Sequence, residues 1–343
     1  MSVRAILLAG GLGTRLHPLT EHLPKPMIPV LGTPWLDRLV ESLVTHGIRE
    51  ITLSLRHGKD VVIEHFREPR PGVNIQFAVE PKPLGTGGAI RFAAGKNPTE
   101  TLLVMNADIV QTFAISELIR FHRERNAQVT IGLIEVEDPS AYGAVELTSD
   151  SRVRRFIEKP RPGETESRLV NAGIYVIDPG VLSFIPEGRE VSVERETFPT
   201  LLEAGVRVYG VRCQGYWKDI GTRSRYLELH RDILDGNCPI TAAGRVCGSS
   251  IWQGEGAEIS PSALLIPPVF IGPGTVVEDG ARVGPWVVLG AHCRVGQGAR
   301  LSEVVVWDHA SVGAGVSVRR SVIGYGARIG GGVVEDAMLA GWR

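Results

Sequence analysis

The feature that most constrains the fold is a six-residue period of aliphatic side chains in the carboxyl-terminal part of the chain. These positions are Ile259, Leu265, Ile271, Val277, Val283, Leu289, Val295, Leu301, Val306, Val312, Val318, Ile323 and Ile329. The phase slips by one residue after Leu301 and again after Val318, and glycine is frequent between the aliphatic positions. Such a pattern is typical of a parallel β-helix, whose stacked coils share one aliphatic core. At three hexads to a coil, about four coils fit this segment.

The preceding part of the chain alternates strand-like and helix-like segments. The strand-like runs are residues 51–55, 73–79, 102–105, 129–134 and 206–211, and the helix-like runs are Trp35–Thr45, 61–66, 86–94, 116–125 and Arg223–Leu234. Short apolar strands separated by helices favour a mostly parallel sheet with helices on both faces. We therefore predict an α/β fold with a Rossmann-like, mostly parallel sheet over residues 1–235. A connector is predicted over 236–258, and the parallel β-helix over 259–343.

A glycine-rich turn follows the first apolar run, Val3–Leu8. Four of the five residues in Ala9-Gly10-Gly11-Leu12-Gly13 are small, which allows the backbone to approach a ligand closely and to present its N–H groups. Arg15 ends the turn, and Pro24-Lys25-Pro26 holds a lysine between two prolines. Leu16 stands where a dinucleotide-binding fingerprint requires glycine, and the P-loop Gly-Lys-Ser/Thr is missing. The turn is therefore predicted to bind a polyphosphate in another way.

A second polar segment, Asn106-Ala107-Asp108, follows the strand-like run 102–105. Ligands of parallel α/β sheets bind outside the carboxyl ends of the strands. The glycine-rich turn also follows a strand. We therefore expect the two segments to share one cleft.

The glycine-rich turn and the proline-flanked lysine segment that follows it together resemble a family signature. Gly10-Gly11-Leu12-Gly13-Thr14-Arg15-Leu16-His17-Pro18-Leu19-Thr20, followed by Pro24-Lys25-Pro26-Met27-Ile28-Pro29-Val30, resembles the signature of the sugar-1-phosphate nucleotidylyltransferases. Within that family it is most similar to the mannose-1-phosphate guanylyltransferase type. The resemblance implies transfer of a nucleotidyl group from an NTP to a sugar 1-phosphate, with release of pyrophosphate. It also implies that the β-helix is left-handed.

The substrate pair favoured by the resemblance is GTP with mannose 1-phosphate, giving GDP-mannose. This preference rests on Pro24-Lys25-Pro26-Met27 and on the β-helix, which look most like that branch of the family. Glucose 1-phosphate with UTP or dTTP and a heptose 1-phosphate with GTP stay open, because a fold and its motif order define the reaction class better than the substrate.

The resemblance assigns residues to the nucleotide and to catalysis. Arg15 is expected to bind the β- and γ-phosphates and the leaving pyrophosphate, and Lys25 to lie near the α-phosphate and the attacking phosphate. Asp108 completes the catalytic set. The segment Glu80-Pro81-Lys82-Pro83-Leu84-Gly85-Thr86 resembles the base-binding turn. The predicted nucleotide-binding residues are Leu8, Gly10, Gly11, Gly13, Thr14, Arg15, Lys25, Glu80, Gly85 and Thr86.

The resemblance also implies a metal site and a sugar-phosphate site. Asp108 and Asp219 are expected to hold Mg²⁺, which prefers a few carboxylate oxygens together with phosphate oxygens. Ala107 stands where the family usually has glycine. Asn171-Ala172-Gly173 is expected just before a strand over 174–177. The predicted sugar-phosphate residues are Asn106, Gly143, Glu158, Lys159 and Asn171.

Composition limits the partners and the compartment. The net charge is −1 and 22% of residues are charged, which predicts no binding to nucleic acid or to a membrane surface. No run of apolar residues is long enough for a transmembrane helix, and no signal peptide is recognised. The cysteines, Cys213, Cys238, Cys247 and Cys293, have no metal-like spacing, so free thiols and a cytoplasmic location are expected. The expected partners are the NTP, the sugar 1-phosphate and further copies of the chain, bound through the β-helix.

Two other functions are consistent with parts of the sequence. His292 and His309 each follow a hexad aliphatic by three residues, and β-helix acyltransferases use a histidine as general base. A non-catalytic subunit that binds a nucleotide sugar is the other alternative. Such a subunit would be expected to lose its catalytic cations or metal ligands, whereas this chain retains them.

Overall fold

The computed structural model describes residues 2–341, and these form two compact units. The first unit comprises residues 2–11 and Leu36–Trp217, and the second comprises Leu12–Trp35 and residues 218–341. Because the second unit includes Leu12–Trp35, the two units are not consecutive segments of the chain, and the boundary at residue 235 stays a prediction. The segment that carries Arg15 and Lys25 belongs to the same unit as the β-helix.

The elements before the β-helix agree with the predicted alternation, with small differences at their ends. The helices are α1 (Trp35–Thr45), α2 (Lys59–His65), α3 (Gly85–Ala94), α4 (Ile115–Glu124), α5 (Phe198–Glu203) and α6 (Arg223–Leu234). The strands are β1 (Val3–Leu8), β2 (Pro29–Val30), β3 (Thr33–Pro34), β4 (Glu50–Leu55), β5 (Asn74–Val79), β6 (Thr101–Asn106), β7 (Ile109–Gln111), β8 (Val129–Glu135), β9 (Gly143–Leu147), β10 (Val153–Glu158), β11 (Leu169–Ile177), β12 (Val208–Arg212) and β13 (Trp217–Asp219).

The first unit is built on a nine-stranded sheet whose main order is β10-β9-β11-β6-β1-β4-β5, with β8 paired to β11 and β12. Strands β6, β1, β4 and β5 are parallel, as are β8 and β12. Strand β11 runs antiparallel to β6, β8 and β9. The predicted Rossmann-like, mostly parallel sheet with flanking helices is confirmed. The parallel strands bring the carboxyl ends of β1, β4 and β6 to one edge.

One local prediction about this sheet is wrong. Asn171-Ala172-Gly173 was expected to precede a strand, but it lies inside β11 (Leu169–Ile177). The pairing of β11 with β8 shifts register between Asn171 and Tyr175. Such an irregularity redirects side chains without ending the strand. Asn171 and Gly173 therefore mark a bulge inside the strand and not the segment before it.

The second unit contains a parallel β-helix. Its strands are β14 (Arg245–Val246), β15 (Ile251–Gln253), β16 (Glu258–Ile259), β17 (Leu264–Leu265), β18 (Val269–Ile271), β19 (Val276–Val277), β20 (Arg282–Val283), β21 (Val287–Leu289), β22 (Arg294–Val295), β23 (Arg300–Ser302), β24 (Val304–Val306), β25 (Ser311–Val312), β26 (Ser317–Arg319), β27 (Val322–Ile323), β28 (Arg328–Ile329), β29 (Val333–Glu335) and β30 (Met338–Leu339).

The β-helix strands form three parallel stacks. The stacks follow the orders β15-β18-β21-β24-β27-β30, β16-β19-β22-β25-β28 and β17-β20-β23-β26-β29. The stacking begins at Ile251, inside the segment 236–258 predicted as a connector, and two of the stacks have five strands where about four coils were expected. The hexad side chains form one buried core, including Val277, Leu289 and Leu301. Only the first strand of the first coil lies outside the predicted β-helix, because polar Gln253 stands at the position that Ile271 occupies in the next coil.

Two further predictions concern the whole chain. All four cysteines are free thiols, and Cys238 and Cys293 are buried, which confirms the prediction of free thiols. Among residues 2–341, no helix is both long enough and apolar enough to cross a bilayer.

Candidate functional site

The carboxyl ends of three parallel strands define one part of the site in the first unit. Leu8 at the end of β1 is in register with Ser54 on β4 and with Asn106 on β6. The Leu8 carbonyl accepts a hydrogen bond from Ala107 N–H at 3.1 Å. The predicted residues Leu8, Gly10 and Asn106 are therefore neighbours at this edge, and Gly11 is exposed with open space around its Cα.

Glu80 lies beside this edge. The Ser54 hydroxyl donates to its Oε1 at 3.2 Å, and Leu84 N–H donates to its Oε2 at 3.3 Å. A Cβ built on Gly10 would lie 3.3 Å from Glu80 Oε1. Burial raises the pKa of Glu80, although the hydrogen bonds from Ser54 and Leu84 and the charge of Arg56 act in the opposite direction. The predicted turn that begins at Glu80 is thus fixed against the glycine-rich turn.

The start of α3 shows why glycine and threonine are required at two of the predicted base-binding positions. Gly85 has φ +67°, and a Cβ there would lie 2.5 Å from the Val191 carbonyl oxygen, so a larger residue would collide with the backbone. The Thr86 hydroxyl donates to Glu194 Oε2 at 2.8 Å and accepts from Val193 N–H at 2.8 Å. The Thr86 side chain therefore fixes the segment that carries Glu194.

Glu194 lies in a π-helical segment, Val193–Thr197, capped by the Ser192 side chain. The Ser192 hydroxyl also donates to Glu194 Oε2, at 3.0 Å. π-Helical turns are rare and are found frequently at functional sites. Glu194 is half-buried, and the sequence analysis did not select it. The signal that could have found it is the charged run Glu194-Arg195-Glu196 directly after buried Val193.

Glu194 and Glu158 form a pair of neighbouring carboxylates. Burial raises the pKa of Glu158, and the negative charge of Glu194 raises it further. A Cβ built on Gly143 would lie 3.0 Å from Glu158 Oε2 and 2.5 Å from the Phe156 ring. Lys159 follows with φ 52° and an exposed side chain. The predicted residues Gly143, Glu158 and Lys159 therefore lie together at the ends of β9 and β10.

The bulge in β11 provides a third group of polar atoms. Asn171 Nδ2 donates to the Tyr175 hydroxyl at 2.7 Å, and Asn171 Oδ1 accepts from Gly173 N–H at 2.9 Å. Burial raises the pKa of Tyr175 well above its usual value, and Glu194 and Glu158 raise it further. A Cβ on Gly173 would lie 2.8 Å from Asn106 Nδ2. The structure thus brings Asn106 and Asn171 to the same strand edge.

Asp108 lies in the turn between β6 and β7 and is partly exposed. Ala107, which replaces the usual family glycine, is fully buried and is not among the described residues with positive φ. An alanine side chain is therefore compatible with the backbone of this turn. Asp108 thus follows the end of β6 directly although alanine replaces the usual glycine.

The second unit holds the remaining part of the glycine-rich turn. Gly13 precedes a 3₁₀ turn, Thr14–Leu16, and its carbonyl accepts a hydrogen bond from the Thr20 hydroxyl at 2.8 Å. Thr14 is exposed and Leu16 is fully buried. Lys25–Met27 forms another 3₁₀ turn. The buried Leu16 anchors the turn and leaves the Arg15 side chain on the surface.

Three cations surround one carboxylate in the second unit, and we call Arg15, Lys25, Arg225 and Asp219 the cation cluster. Lys25 Nζ lies 3.1 Å from Asp219 Oδ1 and Arg225 Nη1 lies 3.0 Å from Asp219 Oδ2. Arg15 Nη2 lies 3.7 Å from Asp219 Oδ2. The Lys25 side chain is 6% exposed and the Arg15 side chain 63% exposed. One negative charge therefore faces three positive ones, which leaves an excess of positive charge.

The environment of Asp219 keeps its carboxylate ionised. Burial alone would raise the pKa of Asp219, but Lys25, followed by Arg15 and Arg225, outweighs burial and lowers it. Gly221 N–H also donates to Asp219 Oδ1 at 2.9 Å. A Cβ on Gly221 would lie 2.5 Å from Arg15 Nη2, so a larger residue would displace the arginine. Arg225 was missed by the sequence analysis, and its position in the first turn of α6, close after Asp219, is the signal that could have found it.

The predicted metal ligands were tested against the residues present. Among residues 2–341, no group of three or more His, Cys, Asp or Glu side chains could hold a metal ion. Mg²⁺ commonly takes only one or two carboxylates, with phosphate oxygens and water completing its shell. The ionised carboxylate of Asp219 and the partly exposed carboxylate of Asp108 are oxygen donors of that kind, so the donor chemistry fits a divalent cation.

Comparison with known families gives two matches that cover nearly the whole chain. Residues 4–236 match the family described as Nucleotidyl transferase. Residues 236–341 match the family described as GMPPB C-terminal domain. The first match contains the glycine-rich turn, both predicted metal ligands and the pair of carboxylates.

Individual relatives are similar over most of their length. The chain is 39% identical over 308 residues to the mannose-1-phosphate guanylyltransferase of Mycobacterium tuberculosis, covering 89% of this chain and 80% of that protein. It is 30% identical to a UTP–glucose-1-phosphate uridylyltransferase of Synechocystis, and the match covers 90% of this chain and 84% of that protein. The crystal structure of HddC from Yersinia pseudotuberculosis complexed with GMP-PN matches with a TM-score of 0.57 and 29% identity, covering 67% of this chain and 98% of HddC.

Proposed function

Because the chain belongs to the nucleotidyl transferase family, we propose that it transfers the guanylyl group of GTP to mannose 1-phosphate. The products are GDP-mannose and pyrophosphate. The guanylyltransferase relative at 39% identity supports the choice of sugar and base, and the relative bound to GMP-PN supports a guanine nucleotide.

The observation that carries the proposal is the cation cluster. Both substrates are polyanions, so the protein must neutralise charge and align the reacting groups. Arg15, Lys25 and Arg225 supply three positive charges around the single carboxylate of Asp219. One cation would be enough to neutralise the Asp219 carboxylate. The surplus charge suits phosphate groups.

The reaction is an in-line displacement at phosphorus. A phosphate oxygen of mannose 1-phosphate forms a bond to the α-phosphorus of GTP. The bond from that phosphorus to the oxygen shared with the β-phosphorus breaks, and the electron pair leaves with pyrophosphate. Arg15, on the exposed side of the cation cluster, stabilises the charge that develops on the leaving group. Lys25, which is nearly buried, stabilises the α-phosphate and the attacking oxygen.

Asp108 and Asp219 would hold a divalent cation, and we propose that this cation is Mg²⁺. The bound metal supplies charge neutralisation and orientation of the nucleotide phosphates. The low pKa of Asp219 keeps it an oxygen donor at neutral pH. Because Lys25 and Arg225 also contact Asp219, the cation cluster holds that carboxylate in place before substrates bind.

The sugar phosphate is proposed to bind among Gly143, Glu158, Lys159, Asn171 and Asn106. Glu158 accepts hydrogen bonds from sugar hydroxyls, and Lys159 pairs with the phosphate. We add Glu194 to this set because it lies close enough to Glu158 and Tyr175 to raise the pKa of both. The nucleotide base is proposed to bind at the turn that begins at Glu80 and includes Gly85 and Thr86.

Glu194→Gln is expected to raise KM for mannose 1-phosphate roughly tenfold, the effect of weakening one charged hydrogen bond, while KM for GTP changes less than about twofold. The amide still accepts from Thr86 and Ser192 but has lost the negative charge. Initial rates with each substrate varied in turn measure both constants. Glu190→Gln, at an exposed position nearby, is the control, and an equal change in both KM values would contradict the assignment.

His292 and His309 are expected to be dispensable. Their rings stack at 5.2 Å, both side chains are exposed, and both residues occupy turns with positive φ. Residues at exposed turns of this kind have a structural role, because they allow the backbone to turn between two strands of a coil. His292→Ala and His309→Ala should therefore keep the wild-type rate of pyrophosphate release. Complete loss of that rate in either variant would show that the β-helix contributes to nucleotidyl transfer through these histidines.

The proposed function is tested by measuring pyrophosphate release in the presence of Mg²⁺. A grid combines ATP, GTP, UTP, CTP and dTTP with the 1-phosphates of mannose, glucose, galactose, N-acetylglucosamine and heptose. We expect the highest rate for GTP with mannose 1-phosphate. A maximum at UTP with glucose 1-phosphate would instead place the chain with its uridylyltransferase relative. If a folded protein that binds nucleotide releases no pyrophosphate with any pair, the result would favour the non-catalytic subunit that binds a nucleotide sugar.

A further inference from the structure

The second unit connects the segment that carries Lys25 to the β-helix through buried polar groups. Trp307, which directly follows β24, donates from Nε1 to the Tyr226 hydroxyl at 3.0 Å. The Tyr226 hydroxyl in turn donates a short hydrogen bond to the carbonyl oxygen of Pro29. Tyr226 is 0% exposed and Trp307 is 3% exposed. A continuous line of hydrogen bonds therefore runs from the β-helix through α6 to the chain just after Lys25.

A second buried contact reaches the same segment from α6. Leu31 N–H donates to His230 Nε2 at 3.3 Å. Nδ1 of His230 lies 3.0 Å from the Tyr226 carbonyl oxygen, which favours the tautomer with its proton on Nδ1. His230 is 2% exposed, and its ring packs edge-to-face on Tyr226 with centroids 4.6 Å apart. Tyr226 and His230 thus hold Pro29 and Leu31 from adjacent turns of one helix.

The chain between Lys25 and Pro29 has little freedom to absorb a displacement. Lys25–Met27 is a 3₁₀ turn in which Ile28 N–H donates to the Lys25 carbonyl at 3.2 Å. Pro26 and Pro29 each fix one φ angle. A shift of the Pro29 carbonyl would therefore be transmitted to Lys25, whose Nζ lies 3.1 Å from Asp219.

We propose that Trp307, Tyr226 and His230 are positioning residues for Lys25, and we call them the positioning relay. In this account the β-helix is part of the catalytic machinery, because its Trp307 orients the hydroxyl that holds the Lys25 segment. The proposal rests on the proposed function for the role of Lys25. The relay itself is a property of the fold.

The polar atoms of the relay are what separate positioning from simple packing. A buried phenylalanine in place of Tyr226 or Trp307 would supply most of the apolar contact without any hydrogen bond. A buried hydroxyl without its partners is costly, so its retention here requires both the Trp307 donor and the Pro29 acceptor. Removing the Trp307 N–H leaves the Tyr226 hydroxyl held only by its hydrogen bond to the Pro29 carbonyl, so its position is less well fixed.

The chain offers a matched control for Trp307. Trp286 is also on the β-helix, and its Nε1 donates to Asp235 Oδ1, at the end of α6, at 2.9 Å. The Arg231 guanidinium lies 4.0 Å from the centre of its ring. Trp286→Phe therefore removes a tryptophan hydrogen bond between the β-helix and the end of α6 that has no connection to Pro29 or Leu31.

Hydrogen exchange followed by mass spectrometry tests the relay without depending on activity. In Trp307→Phe, the backbone amides of Met27, Ile28, Val30 and Leu31, the residues of 27–31 that carry an amide hydrogen, should exchange roughly fivefold to tenfold faster, the change expected from losing one hydrogen bond. In Trp286→Phe they should exchange at the wild-type rate. Peptides from the β-helix core report whether each variant is folded. Tyr226→Phe serves as a second variant that removes both hydrogen bonds at once.

Steady-state kinetics with the best substrate pair gives the functional readout. Trp307→Phe should lower kcat roughly tenfold with little change in either KM, because Lys25 acts mainly in the transition state. Unchanged exchange in residues 27–31, or equal changes in Trp307→Phe and Trp286→Phe, would overturn the relay. If the wild-type protein makes no nucleotide sugar in the whole grid, the proposed function fails while the exchange result still decides the relay.

Discussion

Lys25→Ala is expected to lower kcat about a thousandfold, a loss typical of removing a charge that stabilises a phosphoryl transition state. The Lys25 side chain is nearly buried and contacts Asp219, so its charge acts where water screens it little. Arg15 and Arg225 still neutralise Asp219 in the variant. The carboxylate is therefore not left unpaired, and the variant should fold.

The chain contains a control with the same local sequence. Lys82 also lies between two prolines, in Pro81-Lys82-Pro83, but its side chain is exposed. Lys82→Ala should retain wild-type kcat. Thermal unfolding of both variants would show whether folding is intact. Wild-type turnover by a folded Lys25→Ala protein would remove Lys25 from the chemistry.

Asp108→Asn combined with Asp219→Asn is expected to abolish Mg²⁺-dependent turnover. The amide oxygens keep the shape of both side chains but lose the negative charge that a hard divalent cation requires. The loss should exceed that of Lys25→Ala, because two oxygen donors are weakened together. Pyrophosphate release measured over a Mg²⁺ titration gives the apparent affinity of each variant.

The two single variants separate metal binding from the cation cluster. Asp108→Asn changes no residue of the cation cluster, whereas Asp219→Asn leaves nearly buried Lys25 without its carboxylate, which is destabilising. Asp219→Asn should therefore lower the unfolding temperature. Asp60→Asn, on the exposed face of α2, is the control. A double variant that retained the wild-type Mg²⁺ response would exclude both residues as ligands.

Local pattern was sufficient for most of the fold. The hexads predicted the β-helix because each coil repeats the same buried position, and α1 and α6 have the predicted ends because the apolar spacing there is regular. The strand that begins at Ile251 lies outside the predicted β-helix, since its hexad position is occupied by polar Gln253. Asn171 was expected just before a strand, because its actual position in a bulge of β11 depends on pairing with β8.

The site divides in the same way. The motif blocks predicted Arg15, Lys25 and Asp219, and the structure brings these three together in the second unit. Glu194 and Arg225 lie outside the recognised motif blocks, and their sequence signals, a charged run and the first turn of α6, are too common to predict a site without the tertiary contacts. The membership of Arg15 and Lys25 in the unit of the β-helix could not be predicted, because it depends on buried contacts such as that of Tyr226 with Pro29.

The most direct test of the account is the fate of a labelled phosphate. Mannose 1-phosphate carrying ³²P is incubated with GTP, Mg²⁺ and the protein, and the products are separated by chromatography. Attack of the sugar phosphate on the α-phosphorus of GTP predicts that all transferred label appears in GDP-mannose, as its β-phosphate, and none in pyrophosphate. Label in inorganic phosphate, or pyrophosphate release without labelled GDP-mannose, would contradict guanylyl transfer to this sugar.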